Sequence, residues 1–212
     1  MLMNKTVKDF VTQVASKEPT PGGGSVAALA GSLGSALTAM VGNLTIGRKV
    51  YNELDDEIKK EMDIKFKELN KSIKNLNNIV EEDTKAFDKV MEALKLPKET
   101  KEQRTKRSVA IQDGYKVALE VPLKCAEECF KVLKNQKVFA NYGNINAITD
   151  VGVGTLLATT GLEGAILNVK INLLSIKDEE FRNNIEKKID SIMTDGTKLK
   201  EELLKIVYKR LG

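Results

Sequence analysis

The sequence predicts an all-α protein: a bundle of long helices in which two buried small-residue helices are wrapped by amphipathic ones. Three observations predict it. Between Asp55 and Leu94, apolar residues step by three and four with lysines and glutamates between them. Two other stretches, from about Ser25 to Val50 and from about Thr149 to Ile176, are dominated by small and apolar residues. Turn-flanked β-branched runs, the mark of strands, are scarce. With 212 residues, 42% apolar and 30% charged, the chain has enough material for one sizeable core, and a single domain over residues 1–212 is expected.

The elements follow in order. Val7, Phe10, Val11 and Val14 recur at helical spacing and predict an amphipathic helix from about Thr6 to Ser16. Pro19 and Pro21 end it. After Gly22-Gly23-Gly24, Ser25 is the expected N-cap of a long helix, buried nearly all round and reaching about Val50. Ala27, Gly31, Ser35 and Ala39, spaced by four, give that helix a face for close packing. It lies in a chargeless run from Pro19 through Gly47, long enough to cross a bilayer. The Gly, Ser, Thr and Asn content and the lack of flanking anchors predict a buried soluble helix instead, with no membrane partner.

Ile58, Met62, Phe66, Leu69, Ile73, Leu76 and Val80 then form a heptad-like stripe, whose unpaired length hints at a dimer. Leu96-Pro97 breaks this helix. The next begins in the lysine-rich segment Lys98 to Lys106, carries Val109, Tyr115, Ala118 and Leu119, and is expected to kink at Pro122. It resumes through Cys125, Cys129, Phe130 and Leu133. Residues 141–144 are predicted as a loop before the second small-residue helix. Asp178 caps a final amphipathic helix carrying Phe181, Ile185, Ile189, Ile192, Leu199, Leu203 and Ile206.

Composition excludes several functions. There is no histidine, so zinc hydrolase and zinc deaminase chemistry lacks its usual ligands, and no metal site is expected. Cys125 and Cys129 lie one helical turn apart, which predicts buried free thiols; a redox pair would want Cys-x-x-Cys at a helix start. The net charge of +4 comes without an arginine-rich cluster or aromatic-interleaved basic patch, so no nucleic-acid partner is expected. Two cysteines and no recognisable signal peptide predict a cytoplasmic protein. Gly42-Asn43-Leu44-Thr45-Ile46-Gly47-Arg48 approaches a phosphate loop, but Arg48 and Lys49 replace the lysine and the magnesium-binding hydroxyl, and it closes a helix where that motif should open one.

Three features point to chemistry. Three successive glycines before a helix leave backbone N–H groups bare for an anion or carbonyl oxygen, or else turn a tight corner. Asp83 has Leu76, Ile79, Val80, Phe87 and Val90 at −7, −4, −3, +4 and +7, so it shares the apolar face of its helix. A carboxylate there is either paired with a lysine or a general acid–base group with a tuned pKa. Asn144, Asn146 and Asp150 crowd the start of the second small-residue helix, and Asn168 and Asn172 lie one turn apart farther along it, with Glu163 and Lys170 seven apart. Caps and interhelical hydrogen bonds explain part of this set; a polar pocket for a heterocycle explains it together.

PTPGGGSVAALAGSLGSAL, LTIGRKVY, DTKAFDKVMEALKLPK, GNINAITD and GAILNVKINLLSIKD, in that order over nearly the whole chain, resemble the cyclodeaminase/cyclohydrolase family that acts on folate one-carbon units. The resemblance implies an all-helical homodimer with its ligand groove near the subunit interface. It places Pro21, Gly22, Gly23, Gly24, Ser25, Asp83 and the GNINAITD segment among the signature positions. Thr149 stands where the family resemblance leads one to expect serine. No cofactor beyond the tetrahydrofolate substrate is implied.

The implied main reaction is cyclodeamination of 5-formimidoyltetrahydrofolate to 5,10-methenyltetrahydrofolate and ammonia, which suits a histidine-free site. The substrate supplies both nucleophile and electrophile, so positioning accounts for much of the rate, and one carboxyl group moves a proton. Asp83 is the candidate for that group. The glycine N–H groups and asparagine amides would orient pterin and one-carbon atoms, and Arg48, Lys49 or Lys170 would meet the glutamate carboxylates. The alternative enzyme is a methenyltetrahydrofolate cyclohydrolase giving 10-formyltetrahydrofolate. A third reading, a non-catalytic helical dimer that binds a partner, predicts Asp83 tied to a lysine and the glycine loop packed shut.

Overall fold

Each helix starts where the sequence supplies a reason to start. Thr6 caps α1 (Val7–Val14), its hydroxyl accepting from the Asp9 N–H at 3.1 Å. Helices α2 (Gly23–Thr45), α3 (Lys49–Asn52) and α4 (Asp56–Leu94) follow. Thr100 and Gln103 form a reciprocal capping box at the head of α5 (Lys101–Tyr142), α6 spans Ile148–Leu173, and Asp178 caps α7 (Glu179–Leu211) by accepting from the Phe181 N–H at 3.0 Å. The computed structural model describes residues 1–212, the Phe87 side chain excepted, and among the described residues there is no strand. Phe87 as a member of the Asp83 face therefore lies outside the described residues.

The centre is α2 against α6, in backbone contact. A Cβ on Gly34 would lie 2.6 Å from the Gly154 carbonyl oxygen, and one on Gly161 would lie 2.8 Å from that of Ala27. Only glycine admits this approach. Around the pair, α4, α5 and α7 bury their apolar stripes. Gln136 of α5 ties the layers together: its amide donates to Thr38 on α2 at 2.8 Å and accepts from Thr155 on α6 at 3.1 Å. Paired on both sides, this buried amide avoids the desolvation penalty of an orphan.

Four details differ from the sequence expectation. Helix α2 stops at Thr45 rather than near Val50, because Gly47 adopts a left-handed φ of 75° that diverts the chain. It also begins at Gly23 with Gly22 as N-cap, so Ser25 lies inside the first turn; a carboxylate from another helix satisfies that end, as described below. Helix α5 runs through Pro122, which is buried, and on to Tyr142, leaving a loop of only Gly143 and Asn144. The heptad stripe of α4 is covered within the chain: Met62, Leu69, Leu76 and Val80 are fully buried, so that stripe gives no argument for a dimer. Cys125 and Cys129 are buried free thiols, as expected.

Candidate functional site

The first turn of α2 leaves its own N–H groups without a side-chain cap, since Gly22 has none to offer. Asp83, from the middle of α4, supplies the acceptor instead. Its Oδ2 accepts from the Ser25 N–H at 2.8 Å and lies 2.9 Å from Ser25 Oγ. The Ser25 hydroxyl is also 3.1 Å from the Val80 carbonyl oxygen, so its one proton serves either acceptor. The N–H groups of Gly23 and Gly24 make no hydrogen bond among the described residues. They remain as two donors at the positive end of the helix dipole.

These groups line a cleft of about 550 Å³. Gly22, Gly23, Gly24 and Asp83 form one side. Asn168 and Asn172 on α6 lie across it, with Ala86, Val90, Met91 and Leu94 of α4 and Tyr115 and Ala118 of α5 as a largely apolar wall. Each asparagine amide donates one turn back, Asn168 to the Gly164 carbonyl and Asn172 to the Asn168 carbonyl, both at 2.8 Å. Their side-chain Oδ1 atoms accept nothing among the described residues. The cleft thus offers backbone donors, amide acceptors and one carboxyl group around apolar walls, the usual make-up of a small-molecule site.

Burial raises the Asp83 pKa above the ordinary aspartate value, and the two Ser25 hydrogen bonds partly oppose that rise. Among the described residues no lysine or arginine pairs with it. The expectation attached to a purely structural role, an acid tied to lysine beneath a closed loop, is therefore not met. The glycines are also explained. A side chain at Gly24 would overlap the Asp83 carboxylate, and a Cβ at Gly23 would lie 3.3 Å from the Asn168 amide nitrogen.

The remaining candidates fall elsewhere. Asn144, Asn146, Asp150 and Arg48 lie around the far end of α2: the Asn144 N–H donates to Thr45 Oγ1 at 2.8 Å and its side-chain amide to the Leu44 carbonyl at 3.3 Å. Asn144 Oδ1 accepts from the Asn146 N–H at 3.0 Å, and Asp150 sits in the first turn of α6. Helix α2 has 23 residues, which at about 1.5 Å each separates that end from Asp83 by roughly 30 Å. Within one chain these four do not line the cleft, because the length of α2 lies between the two clusters. Lys170 is exposed and lines a separate hollow with Arg182, Glu186 and Asp190. Pro21 and Ser25 are buried beside the cleft without lining it.

A sequence profile of the family described as Formiminotransferase-cyclodeaminase matches residues 6–191. The chain belongs to this family. Formiminotransferase-cyclodeaminase relatives include a methenyltetrahydrofolate cyclohydrolase of Methylorubrum extorquens, 37% identical over 212 residues and covered end to end in both chains. The formimidoyltransferase-cyclodeaminase of Gallus gallus is 35% identical over 209 residues, which span 99% of this chain and 38% of that protein. Among solved structures, a formiminotetrahydrofolate cyclodeaminase from Thermotoga maritima superimposes with a TM-score of 0.80 at 27% identity, covering 100% of this chain and 98% of that one.

Within this family frame, several cleft residues escaped sequence reasoning. Tyr115 and Ala118 were recognised only as apolar helix positions, and Met91 and Leu94 not at all as ligand-facing. The available signal was periodic: Ala86, Val90 and Leu94 continue the Asp83 face along α4.

Proposed function

We propose that the protein is a folate one-carbon enzyme that closes 5-formimidoyltetrahydrofolate to 5,10-methenyltetrahydrofolate with release of ammonia. The observation that carries this is the unpaired Asp83 carboxyl facing a cleft beside the bare N–H groups of Gly23 and Gly24. The folate anilino nitrogen attacks the formimidoyl carbon, a C–N bond forms, and the C–N bond to the departing amine breaks as a proton reaches it. Asp83 moves that proton, and its raised pKa brings its two protonation states closer to neutral pH. The Gly23 and Gly24 donors and the Asn168 and Asn172 acceptors hold the ring system so that the reacting atoms meet. No cofactor enters this reaction; the folate is the substrate.

A second reading is favoured by one observation, the end-to-end match with the Methylorubrum cyclohydrolase. There Asp83 would take a proton from water attacking the same carbon of 5,10-methenyltetrahydrofolate, giving 10-formyltetrahydrofolate. Incubation with each substrate separates the two. Ammonia appearing together with methenyl absorbance supports cyclodeamination, and loss of methenyl absorbance without ammonia supports the hydrolase. If neither change occurs with its substrate, the folate assignment is overturned.

The same reading has the enzyme in the cytoplasm as a homodimer, without membrane or nucleic-acid partners. Support for the dimer comes from an outer face that carries no charge on α2, where Val26, Leu33, Met40 and Leu44 are exposed beside Val153, Leu156 and Leu167 of α6. Helix α2 is long and apolar enough to cross a membrane, but most of it is buried in the bundle. Sedimentation in detergent-free buffer tests both points: a dimer is expected, and a monomer or a detergent requirement would overturn this part.

A further inference from the structure

Tyr115 brings to the Asp83 cleft a hydroxyl that makes no hydrogen bond among the described residues. The other tyrosines are accounted for: the Tyr51 hydroxyl donates to Asp63 Oδ1 at 3.0 Å, and Tyr142 and Tyr208 are exposed. Tyr115 is half-buried. Its ring packs against Ala86 and Val90 of α4 and Ala118 of its own helix, an apolar patch that phenylalanine would fill equally well. A tyrosine in such a wall keeps its ring among apolar groups and offers its hydroxyl to a polar partner.

The turn that carries Tyr115 is held from both sides. One turn earlier on α5, the Gln112 amide donates to the Ser175 carbonyl at 2.9 Å and accepts from the Lys177 N–H at 2.8 Å. The next residue, Lys116, pairs with Asp178 at 2.7 Å. These contacts fasten the turn to the α6–α7 connection, whose Leu174 and Ser175 also line the cleft. An aromatic side chain on a turn anchored in this way gives up little further freedom when a ligand arrives.

Spacing and chemistry together select the partner. Ala86 and Val90 lie three and seven residues beyond Asp83 on α4, about 5 and 10 Å along it at 1.5 Å per residue. A ligand with its reacting carbon at Asp83 therefore has a ring next to that carbon alongside Tyr115. A folate has two such rings. The aminobenzoyl ring has only carbon along its edges, whereas the bicyclic head carries a carbonyl, an amine and ring nitrogens that can meet a hydroxyl. We propose that Tyr115 is a substrate-contacting residue whose hydroxyl hydrogen-bonds the bicyclic head. This rests on the folate reading of the Asp83 cleft and adds to it the direction in which the head lies, along α4 toward Val90.

Y115F removes the hydroxyl and keeps the ring. With the tetrahydrofolate substrate that the wild type turns over, KM should rise about three- to tenfold, the worth of one neutral hydrogen bond, while kcat stays within about twofold. The bicyclic head alone, added as 6-methyltetrahydropterin, should compete with the substrate, and its inhibition constant should rise by a similar factor in the variant. The urea midpoint should stay at the wild-type value, because no group of the protein loses a partner. An unchanged KM, a loss confined to kcat, an inhibition constant equal in the two proteins, or a lowered urea midpoint in place of a kinetic change would each overturn the contact, while wild-type turnover keeps the folate reading standing. A wild-type protein that turns over neither tetrahydrofolate substrate would remove both.

Discussion

Asp83 and Gly24 occupy neighbouring volumes that leave no room for a side chain at position 24: a Cβ there would lie 2.6 Å from Asp83 Cγ and 2.8 Å from Oδ2. The third glycine of the loop is therefore a consequence of where the carboxylate sits. Replacement of Gly24 by alanine should push Asp83 off Ser25 and toward the cleft. Turnover is expected to fall by about 100-fold or more, since a displacement of an ångström ruins a near-attack arrangement. Thermal unfolding should register a loss of about 1–3 kcal/mol from overpacking. Wild-type turnover in this variant would mean that the position of the carboxylate is immaterial.

Asp83→Asn tests the carboxyl group itself. The amide keeps the shape and one acceptor, so circular dichroism should report the same helix content. Turnover should fall by about 10²- to 10⁴-fold, the range for loss of a positioned acid–base group.

The same variant tests the pKa. Burial holds the folded-state pKa of Asp83 above its unfolded value, so the folded protein binds this proton more tightly. The stabilisation from that proton is complete below the ordinary aspartate pKa and is lost as pH rises through the raised value. Asn at position 83 has no such dependence. In urea unfolding between about pH 3 and 7, the variant should therefore gain stability relative to wild type as pH rises through that window. A pH-independent difference would show that burial leaves this carboxyl unperturbed.

Ser25→Ala removes the hydroxyl partner of Asp83 and spares the backbone N–H bond. Because the Ser25 bonds lower the Asp83 pKa against the pull of burial, their partial loss should raise it further. The Asp83-dependent limb of the pH–rate profile should then move to higher pH, with a smaller effect on the plateau than Asp83→Asn produces. A shift to lower pH would contradict the assigned hydrogen bonding.

Gly34→Ala separates packing from chemistry. A Cβ there would meet the Gly154 carbonyl at 2.6 Å and the Ala158 nitrogen at 2.8 Å, both backbone atoms that cannot rotate away. The helices α2 and α6 must part, and chemical denaturation should show a loss of about 1–3 kcal/mol. Because the contact lies about three turns along α2 from Asp83, the folded fraction should retain kcat.

Residue order was enough to place the helices and the polarity of their faces. Periods of three and four are local properties, so the buried stripe of α4, the chargeless character of α2 and the placing of Asp83 on an apolar face could all be counted from residue order. Family likeness in the glycine loop and the Asp83 segment then marked two parts of the cleft. Tertiary structure alone decided that these parts meet. Asp83 caps a helix whose Ser25 is 58 residues away in the chain, which is why Ser25 is not the N-cap its local context suggests. It also decided that Asn144, Asn146, Asp150 and Arg48 gather at the opposite end of α2, away from the cleft. Helix formation answers to neighbours within a turn, whereas a capping acceptor and a cavity depend on which helix ends the packing brings side by side.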